Sequence, residues 1–111
     1  MTHLIVADRS LALDKDGYLA DLNDWSPAAA EALAAQEELT LSAEHWEVLH
    51  LLRAFYAEFQ LSPATRPLIK YAALKLGADK GNSLHLNRLF KGTPAKLAAK
   101  LAGLPKPTNC L

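Results

Sequence analysis

The chain has 111 residues, half of them hydrophobic and 22% charged, with twelve basic side chains balanced by twelve acidic ones and a single cysteine. That length suits one domain able to hold a core without staples, and one cysteine excludes an internal disulfide framework. No apolar run reaches the roughly 20 residues of a membrane span, and Met1 to Ser10, with Asp8 and Arg9 among them, lack the basic start and long apolar stretch of a secretory signal, so a soluble, cytoplasmic protein is expected.

His3 to Val6 alternates weakly and Ser10 to Leu13 alternates again, which predicts a short β-hairpin over about residues 3–14. The Ala7-Asp8-Arg9 stretch between them lacks the Asn-Gly or Asp-Gly signal of a firm hairpin turn. Asp14-Lys15-Asp16-Gly17 reads as a turn, with Tyr18 and Leu19 as a brief extended segment. Ser26-Pro27 is a helix start, an N-cap followed by proline at the first helical position, and it opens an alanine-rich helix over about 27–38. Ser42 caps the next helix, with Glu44 in its first turn. Over residues 43–59 Trp46, Leu49, Leu52, Phe55, Tyr56 and Phe59 recur at three and four, so this long amphipathic helix is expected to be the central core element.

Ser62-Pro63 breaks the chain. A helix over about 66–76 follows, with Leu68, Ile69, Ala72 and Leu76 inward and Gly77 closing it. A turn at Asp79-Lys80-Gly81-Asn82 leads to a short helix over about 83–90, packing through Leu86, Leu89 and Phe90. Thr93-Pro94 repeats the cap-proline start for a last helix over about 94–102, closed by Gly103. The fold class is therefore mainly α. A compact domain over 1–103 carries a short N-terminal hairpin, and 104–111 form a separate C-terminal arm bearing the cysteine. Pro105 and Pro107 keep that arm extended and semi-stiff, so the seven residues from Gly103 to Cys110 reach roughly 20 Å.

Neutral overall charge conceals a polarity. Residues 1–60 carry three bases against eleven acids, and residues 61–111 carry nine bases against Asp79 alone. The halves can neutralise each other across a shared core, or the basic half can face an anion, a nucleic acid or an acidic partner; the two readings are compatible. Cys110 is the candidate reactive group, as a nucleophile, a redox sensor or a sulfur carrier, and a tethered carrier suits its place on the arm. Arg66 and Lys70 share one helical face, as do Lys96 and Lys100, and Lys106 lies on the arm itself. His45 and His50 are five apart, His3 and His85 stand alone in sequence, and no second cysteine exists, so no metal site is indicated. No nucleotide-binding or hydrolase motif is present, and no cofactor is implied. Leu61 to Phe90 could form a helix pair of the helix-turn-helix kind, which keeps a nucleic-acid or protein-binding module as the alternative function.

Across nearly its whole length the chain resembles the DsrC/TusE family of sulfur-carrier proteins, and within it the TusE-type members. The residues that carry the likeness include Asp16-Gly17-Tyr18-Leu19, Asp24-Trp25-Ser26, Leu41 through Val48, Phe55-Tyr56, Ser62 through Arg66 and Lys80-Gly81-Asn82-Ser83. Arg88-Leu89-Phe90, Pro94-Ala95-Lys96, Gly103 through Pro107 and the penultimate Cys110 complete it. The resemblance implies a helical domain with a small hairpin and a mobile C-terminal arm, on which Cys110 carries sulfur as a persulfide. It implies a TusBCD-like donor complex and an MnmA-like thiolase that makes 2-thiouridine at the tRNA wobble position. Arg66, Lys70, Lys96, Lys100 and Lys106 are then the residues expected to favour the anionic form of the sulfur. DsrC proteins of sulfite reduction have a second cysteine that falls here on Ala99, so a sulfite-reductase role is disfavoured and simple relay, by a chain that is monomeric in isolation, is expected.

Overall fold

A computed structural model describes residues 2–108. Strands β1 (Thr2–Val6) and β2 (Arg9–Leu13) pair antiparallel with Leu4 opposite Leu11. Val6 opposite Arg9 leaves Ala7 and Asp8 as the loop, and Ala7 takes φ 53°, where glycine would be unstrained. This is why the turn carries no sequence signal. Leu4, Leu11 and Leu13 point inward, and Leu19 bridges back to Leu13, so the extended Tyr18-Leu19 segment joins the hairpin.

After a single 3-10 turn at Leu22–Asp24, the helices are α1 (Pro27–Gln36), α2 (Ala43–Phe59), α3 (Thr65–Leu76), α4 (Ser83–Leu89) and α5 (Pro94–Leu101). Ser26 Oγ accepts from the N–H of Ala29 at 3.1 Å, as the cap reading requires. Ser42 and His45 cap each other: the His45 N–H donates to Ser42 Oγ at 3.4 Å, and the Ser42 N–H donates to His45 Nδ1 at 3.0 Å. A ring accepting at Nδ1 carries its proton on Nε2, which reaches the carbonyl of Leu89 at 2.8 Å. Buried His45 therefore ties the start of α2 to the end of α4.

Three expectations change. Helix α1 stops at Gln36 because Glu37 caps it and Glu38 turns left-handed at φ 56°. Thr93 makes no side-chain cap; its hydroxyl donates to the Phe90 carbonyl at 3.4 Å. The central element is α5 rather than α2. Pro94, Ala95, Leu97, Ala98, Ala99 and Leu101 are all buried, and α5 packs against α1, α2, α3 and α4. Small alanines at Ala95, Ala98 and Ala99 let several helices approach one short axis, whereas periodicity reports only that a helix has one apolar face. On α2 that face holds Leu49 and Leu52 fully buried, while Trp46 and Tyr56 are half-buried and Phe59 is exposed beside Phe55 and Tyr71.

Leu68 and Ala72 of α3 and Leu86 and Phe90 around α4 complete the core. The α3–α4 turn approaches so closely that a Cβ on Gly81 would lie 2.0 Å from the backbone nitrogen of Ala73. Among the described residues no helix is long and apolar enough to cross a membrane.

Candidate functional site

The site is built around α5 and the segment that leaves it. Like every helix, α5 ends with backbone carbonyls that lack intrahelical partners. Here two side chains from distant parts of the chain supply them. Trp25 Nε1 donates to the carbonyl of Leu101 at 2.9 Å, and Arg53 Nη1 donates to the carbonyl of Ala102 at 2.6 Å. The Arg53 guanidinium lies 4.0 Å from the centre of the Trp25 ring, so the cation stacks on the indole while it neutralises the negative helix end. Burial pulls the pKa of Arg53 below its ordinary value.

Gly103 then turns the chain at φ 73°, and a Cβ there would sit 2.3 Å from the Trp25 ring. The Leu104 N–H reaches back to the Ala99 carbonyl at 3.0 Å and its side chain is buried. The described arm residues that follow have no regular secondary structure and are anchored in turn. Ser62 Oγ donates to the Pro105 carbonyl at 2.6 Å, Lys106 Nζ lies 3.7 Å from Asp16 Oδ2, and Pro107 is buried.

Beside this root lies an open cleft of about 290 Å3, lined by Asp16, Tyr18, Glu37, Lys91, Thr93, Lys96, Leu97, Lys100 and Lys106. The Tyr18 hydroxyl donates to the Lys96 carbonyl at 2.9 Å and so fixes the hairpin side of the cleft to α5. Lys100 Nζ lies 3.2 Å from Glu37 Oε2 and 5.3 Å from the centre of the Tyr18 ring. The ammonium of Lys91 donates to the Glu37 backbone carbonyl. Lys96 is exposed and borders both this cleft and a smaller one of about 160 Å3 lined by Thr65, Asn87, Gly92, Thr93, Pro94 and Ala95.

A family model described as DsrC like protein matches residues 5–111. The chain belongs to the DsrC-like family. A protein named Sulfurtransferase TusE from Salmonella choleraesuis is 52% identical over 108 residues, covering 97% of this chain and 99% of that protein. Another of that name from Photorhabdus laumondii is 50% identical over 111 residues and covers all of both chains. Among solved structures, DsrC of Allochromatium vinosum superposes with a TM-score of 0.90 at 47% identity over 100% of both chains. The oxidized gamma-subunit of the dissimilatory sulfite reductase (DsrC) from Archaeoglobus fulgidus gives a TM-score of 0.85 at 35% identity, covering 98% of this chain and 99% of that one.

In this DsrC-family chain the five basic candidates separate. Lys96, Lys100 and Lys106 meet in the larger cleft. Arg66 and Lys70 do not join them; both lie exposed on α3 and make no ion pair among the described residues. Cys110 lies outside the described residues. Ala99, at the position the resemblance assigns to a second cysteine, is fully buried in α5.

The acidic and basic halves do meet across the core, through Lys100–Glu37, Lys106–Asp16 and Lys80–Glu47, the last at 2.7 Å. Reasoning from sequence missed Trp25, Arg53 and Ser62 as the residues that hold the arm root, and Lys91 as a wall of the cleft. One usable signal was Arg53 itself, a lone base inside the apolar run of α2.

Proposed function

We propose that this chain is a sulfur-relay protein in which Cys110 accepts a sulfur atom as a persulfide and passes it on. The observation that carries this reading is a full-length match to proteins named Sulfurtransferase TusE in a chain whose one thiol is Cys110. The chemistry is exchange between sulfur atoms. The Cys110 thiolate attacks the outer sulfur of a donor persulfide, a new S–S bond forms on Cys110, the donor S–S bond breaks, and the donor leaves as a thiolate. No net oxidation occurs, so no metal or organic cofactor is needed. The second transfer repeats the exchange with an acceptor thiol.

We extend this reading to a TusBCD-like donor complex and an MnmA-like thiolase that modifies the wobble uridine of tRNA, in the cytoplasm, with the chain acting as a monomer between partners; the similarity to proteins named Sulfurtransferase TusE supports it. Arg66, Lys70, Lys96, Lys100 and Lys106 supply positive charge, and the three that share the cleft are best placed to act together. Pro105 and Pro107 keep the arm extended. A single-cysteine chain cannot close the internal disulfide that a second thiol at Ala99 would permit, which argues against partnership with sulfite reductase.

The test is Cys110→Ala. Loss of tRNA 2-thiouridine with an unchanged thermal unfolding midpoint is the expected outcome, and normal tRNA thiolation in the variant would reject the relay. Mass spectrometry after incubation with a cysteine desulfurase and cysteine should show one added sulfur on Cys110, removed by reductant.

The alternative, a regulatory module that binds nucleic acid or protein, draws on the α3–α4 pair and its exposed Arg66, Lys70 and Arg88. Two other cations of that segment are engaged internally: Lys80 with Glu47, and Lys75 over the Tyr71 ring. Nucleic-acid affinity that collapses with added salt and survives Cys110→Ala would favour it.

A further inference from the structure

Five large hydrophobic side chains are exposed among the described residues, and three of them, Phe59, Leu61 and Leu74, belong to the end of α2, the residues just after it and α3. Leu74 is 76% exposed and Phe59 46%. The Phe59 ring centre lies 4.6 Å from that of Phe55 and 6.4 Å from that of Tyr71. Leu74 is three residues after Tyr71 and Pro67 four before it, so exposed Pro67 and Leu74 extend the aromatic cluster along one face of α3. A single exposed apolar side chain is ordinary, but a connected group of them marks a surface that another molecule covers.

The rim of this surface is basic. From 54 to 78 the sequence has one carboxylate, Glu58, against Arg66, Lys70 and Lys75. None of the three bases has a carboxylate partner among the described residues, and Lys75 Nζ lies 5.6 Å from the centre of the Tyr71 ring. An apolar centre with a positive rim is complementary to an apolar side chain flanked by carboxylates. A nucleic acid fits it less well. Leu61, Pro67 and Leu74 offer no ring on which a base could stack, while Tyr71 already meets Lys75 and, edge to face at 5.0 Å, Phe55.

Position adds a second argument. Ser62, the neighbour of exposed Leu61, donates to the Pro105 carbonyl at 2.6 Å. The patch therefore adjoins the root of the segment that carries the one thiol of the chain. Resting on the relay reading, we propose that the surface formed by Phe59, Tyr71 and Leu74 is where the sulfur-donating protein docks, through an apolar side chain flanked by carboxylates. The acceptor in that reading holds tRNA, and a surface that holds tRNA is itself basic, so its charge matches this rim in sign and opposes docking here.

The test uses the full chain as Cys110→Ala, so that sulfur exchange does not contribute, and measures its affinity for a TusBCD-like donor complex by titration calorimetry. Adding Leu74→Glu is expected to weaken binding by about tenfold or more, because it places a charge at the apolar centre. Lys70→Glu should weaken binding several-fold at low ionic strength and less at high salt. Ile5→Glu, at a comparably exposed position on β1, should bind like the parent. The thermal unfolding midpoint of each variant separates loss of binding from loss of fold. A donor complex that does not bind the parent chain, or that binds Leu74→Glu equally well, would overturn the dock. So would a Leu74→Glu chain that loses affinity for tRNA and keeps it for the donor. Loading of the wild-type thiol by inorganic polysulfide, read by intact mass as one added sulfur, needs no partner protein, so a failed dock and a failed relay give different results.

Discussion

At its C-terminal end α5 is held by directional bonds in a sheltered place: an indole N–H, a guanidinium N–H and a glycine turn too tight for any other residue. Along the lysine face of the same helix the contacts are ion pairs, at 3.2 Å for Lys100–Glu37 and 3.7 Å for Lys106–Asp16, with side chains between 20% and 47% exposed. The first region fixes where the arm begins, because removing either donor leaves a carbonyl short of a partner. The second region is soft, because exposed pairs are weak and exchange partners readily. The segment that leaves α5 therefore starts from a firmly bonded root beside a cleft whose ion pairs yield readily.

The contrast breaks most severely at Gly103. Gly103→Ala forces a Cβ into the Trp25 ring and an L-residue into a left-handed backbone. It should destabilise the fold by about 3 kcal/mol, read from denaturant unfolding, and a change below about 1 kcal/mol would mean the root is not packed this tightly.

Arg53→Ala comes next, at about 2 kcal/mol, since it removes a charged hydrogen bond and the stack on Trp25. The loss should persist at high salt because the pair is partly buried.

Lys100→Gln should cost only about 0.5 kcal/mol at low ionic strength and nothing measurable at high salt. An Arg53 effect that vanished with salt, or a Lys100 effect that resisted it, would reverse the assignment of rigid and soft regions.

The smallest effect is the pH response of Lys80. Its hydrogen bond to Glu47 is the main cause of a pKa raised above the ordinary 10.5. A raised pKa in the folded state means that its stabilisation is complete below pH 10.5 and fades as pH climbs through the raised value. The difference in stability between the wild type and Lys80→Met should therefore shrink as pH climbs through that alkaline window.

Local signals in this chain suffice where a helix is defined by its own residues. Helix α2 spans Ala43–Phe59 as expected, because Ser42 caps it and the apolar spacing never falters. The end of α1 was less legible, since Glu37 and Glu38 are good helix formers that nevertheless turn out of the helix. The prominence of α5 was not legible at all. Its importance comes from how many neighbours its alanines admit, and that is a property of the assembled core. The cleft was half legible: the spacing of Lys96 and Lys100 places them on one face, but Lys91, Lys106, Asp16 and Glu37 arrive from other elements.

Local chemistry along the chain is enough to specify the mainly α class, the cap-proline start of α1, the course of α2, the turn at Gly103 and a single thiol on a proline-bearing segment. These depend on backbone preferences and on the spacing of apolar residues, which act over a few positions. Packing of distant segments is what brings Trp25 and Arg53 to the end of α5 and Ser62 to Pro105, and what gathers three of the five basic candidates in one cleft while Arg66 and Lys70 stay apart. Those outcomes join residues up to 76 positions apart, such as Trp25 and Leu101. They follow from which surfaces pack together to leave water, and no local preference encodes that choice.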